Sequence, residues 1–181
     1  MTWLITLIKN LFMKKETITE VEYIPVSLTP PDPQPEIPAK TPRDALYETA
    51  KVCIGIDVSP KDIAPDELGC AESVWNILNR AFPNNVGFPL TVSTIVLFRE
   101  LSKSPLYKRV ETPLAGDIII SVTGTGNGRI KHGHTGIVGK YQVMSNDSNT
   151  GKWAANYTLR AWKNYFENLG GMKVYYFRRC A

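Results

Sequence analysis

Six of the residues between positions 25 and 38 are proline: Pro25, Pro30, Pro31, Pro33, Pro35 and Pro38. Proline fixes φ and removes a backbone donor, so neither a regular helix nor a central strand can run through this stretch. The chain is thereby divided, and a packed core has to come from the longer, C-terminal side. We expect residues 1–15 to form a short apolar leader, 16–40 an extended spacer and 41–181 one folded domain. The 43% hydrophobic content suits a globular protein. A domain of about 140 residues buries roughly two-thirds of its unfolded surface, so it needs no covalent staples.

In the leader, Trp3, Leu4, Leu7, Ile8, Leu11 and Phe12 recur at helical spacing. The stretch is shorter than the roughly 20 apolar residues that span a bilayer. It also lacks the basic start and small-residue cleavage site of a signal peptide. With Lys9, Lys14 and Lys15 beside it, it is expected to lie on a membrane surface or dock on a partner, or else on its own domain. The net charge of +4 suits a polyanionic partner such as a cell wall. No basic run with interleaved aromatics occurs, so no nucleic-acid partner is expected. The cysteines Cys53, Cys70 and Cys180 are odd in number and widely spaced, which argues against a disulfide framework or a structural zinc site.

The domain opens with Thr41-Pro42, a helix cap followed by proline in the first turn. Ala45, Leu46, Ala50 and Cys53 then share a face, and Gly55 is the stop. A second helix contains Cys70 and turns Ala71, Val74, Trp75 and Leu78 inward. A third covers roughly residues 92–103, with Thr91 as its cap. The character then changes to strands at Gly116–Val122, His134–Tyr141 and Gln142–Asn146, the first two joined by a glycine-rich hairpin. A helical stretch within Trp153–Glu167 and a last strand over Met172–Arg178 complete the pattern. Helices followed by mostly consecutive antiparallel strands indicate an α+β fold.

Cys70 follows Gly69 at the start of a helix, where unpaired N–H groups and the positive dipole end favour a thiolate. The same N–H groups can hold an oxyanion, and a glycine before the cysteine leaves room for substrate. The plainer reading is a buried cysteine acting as a small hydrophobe. His134, beside Gly133 at a strand start, is placed to act as a general base. His132 lies two residues earlier, but no third ligand has fitting spacing, so neither a metal nor another cofactor is expected. A histidine base needs an orienting group. The next strand offers Ser145, Asn146 and Asp147; Asn146 is the choice and Asp147 the runner-up, although such residues also favour turns. On this reading Cys70 is the most reactive of the three thiols, and activity follows a histidine titrating near neutrality.

Three segments carry a resemblance: Leu68-Gly69-Cys70-Ala71-Glu72-Ser73-Val74, Gly116-Asp117-Ile118-Ile119-Ile120-Ser121 and Gly133-His134-Thr135-Gly136-Ile137-Val138. They resemble the signature segments of the CHAP and NlpC-type cysteine peptidases. Met144–Ser148 and Asn156–Leu159 resemble a bacteriophage-type branch of that superfamily. The resemblance spans about residues 42–179. It implies a papain-like fold and cleavage of amide bonds in peptidoglycan, as an endopeptidase or an N-acetylmuramoyl-L-alanine amidase. It assigns the nucleophile to Cys70, the base to His134 and the orienting group to Asn146. The implied setting is a phage lysin or a virion-associated lytic enzyme, located on the virion or at the host cell envelope. Gly69 departs from the glutamine usual in CHAP enzymes and the aspartate usual in NlpC-type ones, and Ala71 from the serine usual in the latter. The backbone N–H of Cys70 is then the candidate oxyanion donor. Gly69, Glu72 and Gly133 are candidate substrate contacts, with Glu72 either meeting a cationic group or standing as a solvated first-turn acid. The alternatives are a non-catalytic wall-binding or structural virion domain, and an acyltransferase or deamidase on the same scaffold.

Overall fold

The computed structural model describes residues 40–59 and 68–180. The expected leader and all of the expected spacer but Lys40 lie outside the described residues.

Helix α1 spans Pro42–Val52 and opens on a complete capping box. The Asp44 N–H donates to Thr41 Oγ1 at 3.2 Å, and the Thr41 N–H donates back to Asp44 Oδ2 at 3.2 Å. Helix α2, Cys70–Ala81, buries Ala71, Val74, Ile77 and Leu78 on one stripe. Trp75 is only half-buried at the core's edge, its indole N–H donating to the Phe88 carbonyl at 3.0 Å. Helix α3, Thr94–Lys103, starts later than its apolar spacing suggests, with Ser93 at the N-cap position. Thr91 is no cap: its hydroxyl accepts from the Ser93 N–H at 3.2 Å and closes a turn ahead of the helix.

The six strands are β1 (Tyr107–Val110), β2 (Ile118–Ser121), β3 (His134–Val138), β4 (Val143–Asn146), β5 (Trp153–Tyr157) and β6 (Val174–Arg179). They form one sheet in the order β1-β6-β2-β3-β4-β5, and every neighbouring pair is antiparallel. The fold is α+β. Alternation splits the sheet between two cores. Ile118, Ile120, Ile137, Met144 and Phe177 pack with the residues of α1, α2 and α3. Ile119, Val138, Val143 and Tyr176 pack instead with Trp162, Phe166 and Met172. Both faces being covered explains why β2 reads as an uninterrupted Ile-Ile-Ile run.

The range Trp153–Glu167, expected to hold a helical stretch, is strand first and helix second. Thr158 makes the switch: its hydroxyl accepts from the Ala161 N–H at 3.1 Å and caps α4, Leu159–Trp162. The chain then continues as a π-helical run, Lys163–Leu169. Trp153 is fully buried, and its indole N–H donates to the Ala50 carbonyl at 3.1 Å. Its own N–H and C=O pair with Ile56 and Gly55, so β5 is stitched to the end of α1. Tertiary pairing thus overrides the helix propensity of Ala154 and Ala155.

The Gly116-Asp117 pair is a structural device. Gly116 has φ +93°, and a Cβ there would lie 2.1 Å from the Arg43 carbonyl oxygen. Asp117 is fully buried and accepts two hydrogen bonds from Arg178, at 2.9 and 2.8 Å, and one from the Leu114 N–H at 2.7 Å. This fork ties β6 to the entry of β2.

Candidate active site

Cys70 is the first residue of α2 and His134 the first of β3, and both line one cleft of about 540 Å³. Its other walls include the start of α3 at Thr94 and Ile95, the loop residues Arg129 and Lys131, and Tyr165.

Cys70 is 6% exposed. Burial pushes its thiol up to about 11, while backbone N–H groups of Thr135, Ala71 and Cys70 itself favour the thiolate. The expectation of an activated, strongly reactive thiol is therefore corrected: at this buried position the desolvation of sulfur outweighs the helix terminus. His134 is 8% exposed, and burial pushes its imidazole down to about 4 against a hydrogen bond with the Asn146 backbone and the charge of Asp147. The expected titration near neutrality is corrected for the same reason. The ring stacks on Trp162 at 5.3 Å and on Phe166 at 5.9 Å, and Tyr157 stands edge-on at 6.0 Å. The resting pair is a neutral thiol and a neutral imidazole. Among the described residues no hydrogen bond joins the two side chains.

This gives an order of thiol reactivity. Cys180 is exposed, Cys70 opens on the cleft, and Cys53 is 1% exposed within the core. Limiting iodoacetamide near neutral pH is expected to label Cys180 first. Labelling of Cys70 should climb steadily as the pH rises toward about 11, with Cys53 last. A Cys70 rate that is already flat with pH near neutrality would show a preformed thiolate and refute the neutral pair.

The orienting group in contact with the ring is Ser145, whose Oγ lies 3.0 Å from His134 Nε2. The Ser145 hydroxyl donates in turn to Asn156 Oδ1 at 2.7 Å. Register explains the choice. Gly136 pairs with Ser145, so His134 and Ser145 share a face of the sheet. Asn146 has the opposite parity. It is 1% exposed, its Oδ1 accepts from Ser73 Oγ at 3.5 Å, and it meets His134 through its backbone. Asp147 acts on the ring through charge, and its Oδ1 accepts from the Asn149 N–H at 2.8 Å in the turn after β4. Ser145 was among the candidates, but preferring it to Asn146 needs the β3–β4 register, and Asn156 stands on a strand that the sequence did not separate from the helical stretch after it.

Gly69 makes room for Ser59 rather than for substrate: a Cβ there would lie 2.3 Å from Ser59 Oγ. Gly133 lines the cleft, but what requires glycine is the Ser121 carbonyl, 2.1 Å from where its Cβ would stand. Glu72 is not the solvated acid expected of a first helical turn. It is fully buried, among the described residues neither carboxylate oxygen has a hydrogen-bond partner, and burial followed by the charge of Asp57 pushes its carboxyl up. His132 lines the cleft mouth and is exposed. Among the described residues no group of three His, Cys, Asp or Glu side chains is placed to hold a metal ion.

No protein-family model matches the sequence, and no curated protein matches it. Among solved structures, a chain of the type VI native effector–immunity complex Tae3–Tai3 from Ralstonia pickettii is similar over 77% of this chain and 99% of its own, with 16% sequence identity and a TM-score of 0.46.

Proposed function

We propose that the domain hydrolyses amide bonds in bacterial cell-wall peptide, with Cys70 as nucleophile and His134 as base. The observation that carries this reading is the meeting of the first residue of α2 and the first residue of β3 in one cleft, the sulfur lying beside backbone N–H groups. On attack the thiol proton passes to His134, sulfur bonds to the substrate carbonyl carbon, and the carbonyl oxygen gains the negative charge. His134 then protonates the departing amine as the C–N bond breaks, and water cleaves the thioester. Burial holds the proton on sulfur and disfavours the charged imidazole, so a thiolate–imidazolium pair is not the resting state of the cleft. Transfer is therefore concerted with attack, when N–H groups such as that of Cys70 take up the charge on the oxygen.

Among the described residues, the charged side chains that line the cleft are Arg129 and Lys131, with no Asp or Glu. It favours a substrate bearing carboxylates, as wall stem peptides do. In this reading the papain-like resemblance describes the scaffold. Residues 1–15 anchor the protein at a membrane surface or on a phage particle, residues 16–40 tether the domain, and the protein works at the cell envelope. The absence of a hydrogen bond between thiol and ring favours a second reading, a wall-binding domain that has kept the fold without the chemistry. An acyltransferase would use the same nucleophile and base, with an amine in place of water. Incubating purified wall with the full chain decides among them. Free amino groups are expected to appear steadily with time; wall that binds the protein and releases none would leave the binding reading, and release that needs an added amine would leave the transferase.

A further inference from the structure

We propose that Asn156 is a positioning residue for His134, acting through the Ser145 hydroxyl, and that this chain decides which ring nitrogen carries the proton. The inference deepens the hydrolase reading, since it matters to catalysis only if His134 is the base.

The aromatic stack sets the problem. Trp162 and Phe166 lie within 24° and 20° of the imidazole plane. Stacking fixes that plane, but a half-turn about Cβ–Cγ leaves the plane unchanged while it exchanges Nδ1 with Cδ2 and Nε2 with Cε1, and stacking does not choose which nitrogen carries the proton. Only a directional contact breaks the tie. One such contact is Ser145 Oγ, 3.0 Å from Nε2, beside the hydrogen bond with the Asn146 backbone. A serine hydroxyl has one hydrogen, and Ser145 gives it to Asn156 Oδ1 at 2.7 Å. An amide oxygen accepts and does not donate. The Ser145 oxygen must then accept from the ring, so Nε2 bears the proton and Nδ1 is the basic nitrogen.

The backbone places Asn156 for this task. Val143 pairs with Tyr157 and Met144 with Ala155, so Asn156 is the extra residue of a β-bulge. A bulge re-aims side chains, and here two successive residues serve one side of the sheet: Asn156 reaches Ser145 while the Tyr157 ring stands against His134. Asn156 is itself exposed, whereas Ser145 is fully buried. The outer link can thus be altered without opening the core.

The test reads the ring directly. The full chain with 15N-labelled imidazole is examined by two-bond 1H–15N correlation NMR, with His134→Ala assigning the signal. The wild type is expected to show the Nε2–H tautomer. Ser145→Ala and Asn156→Ala should each shift the ring toward a mixture of tautomers, and Asn156→Asp, which keeps an acceptor oxygen, should restore it. In the wall assay Asn156→Ala should lose about tenfold in kcat with KM unchanged, and Asn156→Asp should recover it. An Nδ1–H wild type, or an Asn156→Ala tautomer identical to wild type, overturns the proposal. Should the tautomer respond as expected while wild type releases no amine from wall, the positioning role stands and the hydrolase reading fails. Should amine release depend on Cys70 while the tautomer ignores Asn156, the reverse holds.

Discussion

Cys70→Ser is expected to lower amine release from cell wall by roughly ten-thousandfold or more, while the domain stays folded. The oxygen of serine is smaller and far less acidic than sulfur. The His134 imidazole, pushed down to about 4, is too weak a base to activate it. His134→Ala should cost nearly as much, and the double variant little more, because nucleophile and base act as one unit. His132→Ala should keep most of the activity, since that residue lines the cleft mouth outside the Ser145 contact. The pH profile should show its acid limb near 4 rather than at the ordinary histidine value, because the base must be neutral to accept the thiol proton. Initial rates on purified wall, with circular dichroism of each variant, check all of this. Loss of activity in His132→Ala together with a fully active His134→Ala would reassign the base.

Trp153→Ala is expected to destabilise the domain by about 4 kcal/mol, a large share of the 5–15 kcal/mol typical of a domain. The indole is fully buried between β5 and α1, and its removal leaves a cavity as well as an unpaired Ala50 carbonyl. Trp153→Phe separates these contributions: it fills most of the space and loses the hydrogen bond, so about 1–2 kcal/mol is expected. Urea unfolding of the three proteins measures both. Equal midpoints for wild type and Trp153→Ala would show that β5 does not hold α1 in place.

Much of the fold was legible because its signals are local. The Thr41-Pro42 cap, the apolar stripe of α2 and the Ile118–Ile120 run each follow from a short stretch of sequence. What failed depended on distant partners. Tyr-Lys-Arg-Val of β1, which is not among the expected strands, becomes one through its pairing with β6. Trp-Ala-Ala-Asn-Tyr of β5 is not set apart from the helical stretch that follows until β4 and the end of α1 take up its backbone groups. The site divides in the same way. Glycine-flanked Cys70 and His134 stand out by their order along the chain, and the cleft brings them together. Choosing between Ser145 and Asn146 requires the strand register, which a count along the sequence does not supply. The protonation of both groups is a property of burial, so a helix start and a strand start alone pointed the wrong way for each.

The central claim is that the cleft cuts amide bonds by hydrolysis through Cys70. Its most direct test is digestion of purified wall in heavy-oxygen water, followed by the masses of the released fragments. The account predicts one heavy oxygen in each new carboxyl group, a matching free amine, intact glycan linkages, and no such fragments with Cys70→Ser. Fragments carrying the label at a sugar reducing end, or labelled carboxyls produced equally well by Cys70→Ser, would contradict it.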